Sequence, residues 1–494
     1  MYYIGIDLGT SAVKLLLVDE TGNILNSISK EYPLYFPKPG WSQQDPEDWK
    51  KAVKEGLKEL LKGYDPKKVR AIGAGGQMHG LVILDEQDEV IRPAILWNDG
   101  RTDKEMVYLN EVIGVEKLSQ YTANMAFAGF TAPKILWVKN NEPENFKKIA
   151  RIMLPKDYIN YRLTGVFAGD YSDASGTLLL DVKNKKWSDE MLAICGINRS
   201  QLPDLYESYE VIGTVKKEIA EELGLSQDVK VVAGAGDNAA AAIGTATVHD
   251  NSCNISLGTS GTLFISCDEF KDNENKAIHN FAHANGKYHL MACILSVASC
   301  NKWFAEEILK DGDYEAIQSK IDDEMLGRNN VYFLPYLMGE RSPINDTDAR
   351  SLFIGMSMDT SKEDMYLAVL EGVAYAIRDC FEELKAAGIN ITTSNICGGG
   401  SRSKLWCRII ANVLNIELLI PASEEGPGYG GAMLGMCADG LYESVEACAD
   451  SLFKVKGHIE ADEKIAKRYE ERYQKYAKIY PSVKQLYKEL KNDD

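Results

Sequence analysis

Residues 2–19 read YYIGIDLGTSAVKLLLVD: an apolar strand, a turn at Gly9-Thr10-Ser11, and a second apolar strand. Glu20-Thr21-Gly22-Asn23 then turns the chain into a third strand. Midway along the chain, residues 253–268 repeat the pattern as CNISLGTSGTLFISCD. Gly and Ser/Thr in such a turn let backbone N–H groups approach an anion closely. A weaker echo follows each hairpin, Ile72-Gly73-Ala74-Gly75-Gly76 and Ile396-Cys397-Gly398-Gly399-Gly400. Two halves sharing one fold, each with its own mixed sheet, account for both echoes. The boundary is expected between about 244 and 254, giving domains 1–246 and 247–494.

Between the strands lie helical patterns at 46–62 and 361–385. The second opens on Ser361-x-x-Asp364, close to a capping box, and keeps apolar residues at helical spacing. Strands alternating with helices define an α/β class. The stretch after Asp462, rich in Lys, Glu and Tyr, reads as an amphipathic helix with a fraying KNDD end.

The 494 residues carry a net charge of −18, which disfavours nucleic acid and anionic membranes as partners. None of the ten cysteines forms a C-x-x-C pair, as expected of reduced thiols in a cytoplasmic protein. The N-terminus reads directly as a strand, so no signal peptide is expected, and no apolar run is long enough for a membrane helix.

The halves differ at one informative position, where Asp7 in the first loop faces Ser256 in the second. A carboxylate kept in one copy suggests a single asymmetric site between the halves. A further carboxylate, Asp237, opens Gly236-Asp237-Asn238-Ala239 between an apolar strand and an alanine-rich helix. On spacing alone Asp237 is an N-cap. No G-x-x-x-x-G-K-[ST] loop is present, which disfavours a P-loop kinase. His279, His283 and His289 flank Asn285-Gly286, a hairpin signal, so they are expected on paired strands rather than around a metal.

Two further stretches carry a family resemblance. Gly129-x-Thr131-x-x-Lys134-Ile135-x-Trp137-Val138-x-Asn140-Asn141 is one. Ser351-x-Phe353-x-Gly355-Met356, followed by Asp364-Met365-x-x-Ala368-Val369-Leu370-Glu371, is the other. In this order, on opposite sides of the midpoint, they resemble the signatures of the FGGY carbohydrate kinases. The resemblance implies two ribonuclease H-like domains of the actin/Hsp70/sugar-kinase superfamily with a cleft between them. It implies ATP and Mg²⁺ as cofactors and a small-molecule sugar as the other substrate. The N-terminal domain would then hold the sugar and the catalytic base, and the C-terminal domain the nucleotide.

Carried over by position, Asp237 takes the place of the general base and Asp7 sits with it near Mg²⁺. Gly9, Thr10, Ser11 and Lys14 would face the transferred phosphoryl group, with Gly258 and Thr259 holding the outer phosphates. Gly398, Gly399 and Gly400 would pack against adenosine, where a side chain would block it, and Ser403 would lie near adenine. Met78 and His79 would face the sugar, Asn238 would orient sugar or base, and Trp97 and Asp99 would close the pocket wall. Gly426 to Ala432 resembles the helix on the hinge side.

Glycerol kinases carry an Arg-Glu pair where Met78 and His79 stand. Gly76-Gln77-Met78-His79-Gly80 instead resembles members acting on D-xylulose. The rival expectations are ribulose, gluconate, a deoxysugar or glycerol as acceptor, or a nucleotide-gated protein that phosphorylates nothing. Related two-domain kinases are often dimers, so a homodimer is the expected assembly.

Overall fold

The structure, a computed structural model, describes residues 1–423 and 425–491, so the last three residues of the KNDD end lie outside the described residues. The first sheet contains β1 (Tyr2–Leu8), β2 (Ala12–Asp19), β3 (Ile24–Glu31), β4 (Val69–Gly76), β5 (Val211–Thr214), β6 (Lys230–Val232) and the short β7 (Ala235–Gly236). Its order is β5-β6-β4-β1-β2-β3, with β7 also paired to β4. The second contains β8 (Cys253–Leu257), β9 (Gly261–Cys267), β10 (His279–Ala282), β11 (Tyr288–Ile294), β12 (Thr393–Cys397), β13 (Glu417–Pro421) and β14 (Val455–Ile459). Its order is β10-β11-β9-β8-β12-β13-β14.

Starting from β3 in the first sheet, successive pairings are antiparallel, antiparallel, parallel, parallel and antiparallel. Starting from β11 in the second, the same succession recurs. The echo read in the sequence is therefore a repeated sheet, and the weaker glycine echo marks β4 and β12, the parallel neighbours of β1 and β8.

Seven helices shape the site and the cores around it. In chain order they are α1 (Pro46–Leu60), α2 (Thr131–Asn141), α3 (Asp237–Gly244), α4 (Lys362–Ala386), α5 (Lys404–Leu414), α6 (Gly426–Ala438) and α7 (Glu463–Tyr476). α1 is capped by Asp45, which accepts from Glu47 N at 3.0 Å, and buries Trp49, Val53, Leu57 and Leu60 against the first sheet's core. α4 carries the expected capping box, with Ser361 and Asp364 bonded reciprocally. α7 begins after the Asp462 cap, as the amphipathic pattern required.

Each sheet has its own apolar core, and a further core joins the halves, built from Tyr3, Leu16, Ala71 and Val232 with Ala240, Ile243, Ala432 and Met433. Here α6, from the C-terminal half, lies on the N-terminal sheet. A Cβ on Gly5 would overlap the Gly428 carbonyl, one on Gly73 the Gly431 carbonyl, and one on Gly430 the Ala240 carbonyl of α3. Glycine is required at these positions because backbone meets backbone. Asp439, just past α6, accepts from Lys230 at 2.9 Å, Tyr3 at 3.1 Å and Arg70 at 3.2 Å. These bonds pin that end of α6 to the same sheet.

Candidate active site

The register of the first sheet places two carboxylates side by side. β1 and β7 both run parallel to β4, with Asp7 opposite Gly75 and Gly236 opposite Gly76. Asp7 and Asp237 thus leave the carboxyl ends of parallel strands, where open α/β sheets bind ligands. Asp237 is the first residue of α3, with Gly236 in the N-cap place, so the N-cap reading from spacing gives way. Its Oδ1 accepts from Asn238 N at 2.7 Å and from Asn238 Nδ2 at 3.1 Å. The amide therefore orients the Asp237 carboxylate.

Both carboxylates are partly accessible, yet protein crowds them. Burial pushes Asp237 up to about 6 against the opposing Asn238 bonds. Asp7 rises to about 7, first through burial and then through the charge of Asp237, with Lys14 acting the other way. Lys14 lies opposite Asp7 in the hairpin, but its Nζ is 2.6 Å from the Glu425 carboxylate, at the start of α6. Lys14 is thus held by the opposite half of the molecule.

The turn itself is tied down locally. Gly9 N donates to Ala12 O at 3.1 Å, its carbonyl accepts from Tyr32 Oη, and Gln44 Nε2 donates to Thr10 O at 2.7 Å. Ser11 O accepts from Tyr32 N at 3.3 Å.

β4 runs on into Met78 and His79. Met78 packs against the turn before Asp237, with its Sδ 3.0 Å from where a Cβ on Gly236 would stand. His79 has φ 69°, the left-handed region. Its ring stacks on Phe130 with centroids 4.7 Å apart, and Nδ1 lies 2.7 Å from Gly176 O. Burial lowers its pKa to about 3, so the ring is neutral near pH 7. A carbonyl cannot donate, so Nδ1 carries the hydrogen and Nε2 is left as an acceptor for a hydroxyl.

Trp97 is partly exposed, and its Nε1 donates to Thr10 Oγ1 at 3.0 Å, joining the expected sugar wall to the phosphate loop. Asp99, two residues on, is differently placed. It is buried, and its oxygens accept from Arg101 Nε at 2.8 Å, Arg101 Nη2 at 2.7 Å, Arg101 N at 2.9 Å and Ser42 N at 2.5 Å. Those bonds commit the carboxylate to holding the loop that carries Trp97.

Three groups escaped the sequence reading. Thr131 and Lys134, quoted only as parts of a motif, both bond the His79 carbonyl. Their signal was the three-residue spacing, which puts them on one helix face. Arg341, from the C-terminal half, lies over Phe127 at 4.9 Å and lowers the pKa of His79. Behind the base, buried Lys156 lies 2.5 Å from Asp157 and 2.8 Å from Asp170, with Asp173 at 3.8 Å. Asp170 accepts from the Ser172 hydroxyl at 2.5 Å, and that hydroxyl accepts from Gly236 N at 3.1 Å. The network thereby steadies the turn that presents Asp237.

On the second sheet, a cavity of ≈1120 Å³ is lined by Thr259, Ser299, Gln318, Gly399, Gly400 and Ser403, among others. Gly258 O and Thr259 O accept from Ala298 N at 2.9 Å and Val297 N at 3.0 Å. The three glycines differ in what an added Cβ would meet. A Cβ on Gly398, where φ is 85°, would press on Leu257, and one on Gly400 would press on Leu257 and Trp406. Only Gly399 has open space where a Cβ would stand. Ser403 caps α5, accepting from Trp406 N at 3.0 Å, and donates to Gln318 at 2.7 Å.

His279 and His289 lie on the antiparallel pair β10–β11, which Asn285-Gly286 joins. Their rings pack on Phe281 and Phe264, at 5.4 and 4.0 Å. His283, in the connecting turn, bonds Thr247 O at 2.9 Å through Nε2.

Duplicated sheets with two carboxylates at strand ends and a glycine-lined cavity opposite define a sugar kinase of the actin/Hsp70-like two-domain class. The chain belongs to the FGGY family of carbohydrate kinases. The N-terminal domain model of that family matches residues 2–244 and the C-terminal domain model residues 253–438. The chain is 39% identical to the xylulose kinase of Escherichia coli K12, over 97% of this chain and 99% of that one. Its structure is similar to the "xyloylose kinase" of Brucella ovis, with TM-score 0.94 and 38% identity over 98% of this chain and 100% of that one. It is also similar to a gluconate kinase of Lactobacillus acidophilus, with TM-score 0.93 and 28% identity over 99% of both chains. Among the described residues no helix is long and apolar enough to cross a membrane.

Proposed function

We propose that this protein transfers the terminal phosphoryl group of ATP to D-xylulose, giving D-xylulose 5-phosphate. The observation that carries the reading is near-full-length identity of 39% to a xylulose kinase, with Met78, next to His79 in the chain, packed against Gly236 just before Asp237. Fold alone does not separate acceptors, since a gluconate kinase has the same architecture. We assign the sugar and base to residues 1–246 and the nucleotide to 247–494.

In this mechanism His79 Nε2 accepts from a sugar hydroxyl, and main-chain groups at Met78 bond another. Asp237, held by Asn238, accepts the proton of the attacking hydroxyl as its bond to phosphorus forms. Backbone donors of Thr10 and Ser11, presented by the turn that the Gly9 N–H closes onto Ala12 O, face the transferred group, and those of 258–259 the outer phosphates. Lys14 joins them after exchanging Glu425 for phosphate oxygens. The purine lies along Gly399 and Gly400, which line the cavity on the second sheet.

Asp7 and Asp237 fit Mg²⁺. Both are hard oxygen donors, and a dication beside them offsets the repulsion that helps raise Asp7 to about 7. When bound, the ion supplies charge neutralisation at the phosphates.

The test is ADP release from Mg-ATP with D-xylulose, D-ribulose, gluconate and glycerol as acceptors. D-Xylulose should give the highest kcat/KM. A higher value for another acceptor, or no sugar-dependent release, would remove the assignment.

A further inference from the structure

His79 is held twice, once by its ring and once by its backbone. The Gly176 carbonyl fixes the ring at Nδ1. The backbone carbonyl of the same residue accepts from Lys134 Nζ at 2.8 Å and Thr131 Oγ1 at 3.1 Å. Two donors occupy both lone pairs of that oxygen. The peptide group they fix follows a φ of 69°, which a histidine adopts only where its surroundings impose it.

Lys134 is fully buried, and its Nζ bonds only main-chain carbonyls, the second being Gly129 O at 2.7 Å. No carboxylate pairs with it among the described residues. Burial holds its pKa well below the usual lysine range. A lysine in that position is costly to keep. Leucine would pack as well and would leave His79 free. Gly129, the other end of the bridge, lies so close to Trp97 that a Cβ there would overlap the Trp97 carbonyl. One amine therefore ties the His79 backbone to the segment beneath Trp97, which in turn bonds Thr10 of the phosphate loop.

We propose that Lys134 and Thr131 are positioning residues for sugar recognition, holding His79 so that Nε2 faces the acceptor. The inference rests on the reading that His79 contacts the sugar. The spacing Thr131-x-x-Lys134, one turn of α2, then has a chemical role, because it brings two donors onto one carbonyl of a strained residue.

A double-mutant cycle on His79→Ala and Thr131→Val tests it, with Lys134→Met alongside. Because Lys134→Met can unfold α2, the isosteric Thr131→Val carries the test. We expect Thr131→Val to raise the ketose KM about tenfold while the ATP KM changes by less than about twofold. Thr131→Ser, which keeps the hydroxyl, should restore the ketose KM. The double variant should be little worse than His79→Ala alone, because both remove the same interaction. An unchanged ketose KM in Thr131→Val, with His79→Ala impaired, overturns the clamp alone. Additive losses do the same. An unchanged ketose KM in His79→Ala overturns the sugar reading of His79 and the clamp with it.

Discussion

At Asp237 burial and hydrogen bonding oppose each other, and burial wins: the carboxyl rises to about 6 although Asn238 donates to it twice. A base must be deprotonated to accept a proton, so activity should fall as pH drops through that value. Asp7, pushed to about 7, titrates with it, and the acid limb belongs to the pair. We predict that kcat/KM measured at low Mg-ATP loses activity below about pH 7. Saturating Mg-ATP should move that limb to lower pH, because a cation favours both carboxylates. A limb that stays in place contradicts the pairing.

The same shifts bear on stability. A carboxyl raised in the folded state costs stability above its folded pKa, and the cost fades as pH falls below it. Asp237→Asn should therefore raise Tm by about 1 °C or more at pH 8 and by little at pH 4.5. A lower Tm at pH 8 would refute this. Of the individual residues, Asp7 was legible by comparing the two halves. The Lys156–Asp170 network was not, because charged residues in a sequence read as solvated, while these are buried.

Among the elements, the hairpins at 2–19 and 253–267 were legible because each is fixed by strand alternation and a local turn. The seat of α6 was not. Its contacts pair Gly5 with Gly428 and Gly73 with Gly431, partners far apart in sequence. Only the surplus of small residues hinted at a close approach. We predict that Gly430→Ala costs about 3 kcal/mol or more in urea unfolding, since the methyl meets a backbone carbonyl that cannot rotate away. An unchanged midpoint would mean the two helices are not in contact. Gly399→Val makes the opposite case. Its side chain enters open space in the nucleotide cavity, so Tm should hold while the ATP KM rises about tenfold. An unchanged ATP KM would move the purine elsewhere.

Across the whole molecule, the halves share a core through α3 and α6, and the charged groups of the site come from both sides of it. Repeated sheets leave one asymmetric pair of carboxylates, and the second copy supplies the glycine-lined cavity. The sequence carried that plan because duplication writes it twice, and the one departure between the loops at 6–11 and 255–260, Asp7 against Ser256, marks where the copies diverge in use. Lobe approach was illegible, since it depends on surfaces that meet only after folding. The measurement that bears most directly on this plan is D-xylulose-dependent ADP formation by the wild type and Asp237→Ala, with calorimetric binding of both substrates. The account predicts turnover lower by about 10³-fold in the variant with both affinities kept within about threefold. Turnover near the wild-type rate in Asp237→Ala would contradict it.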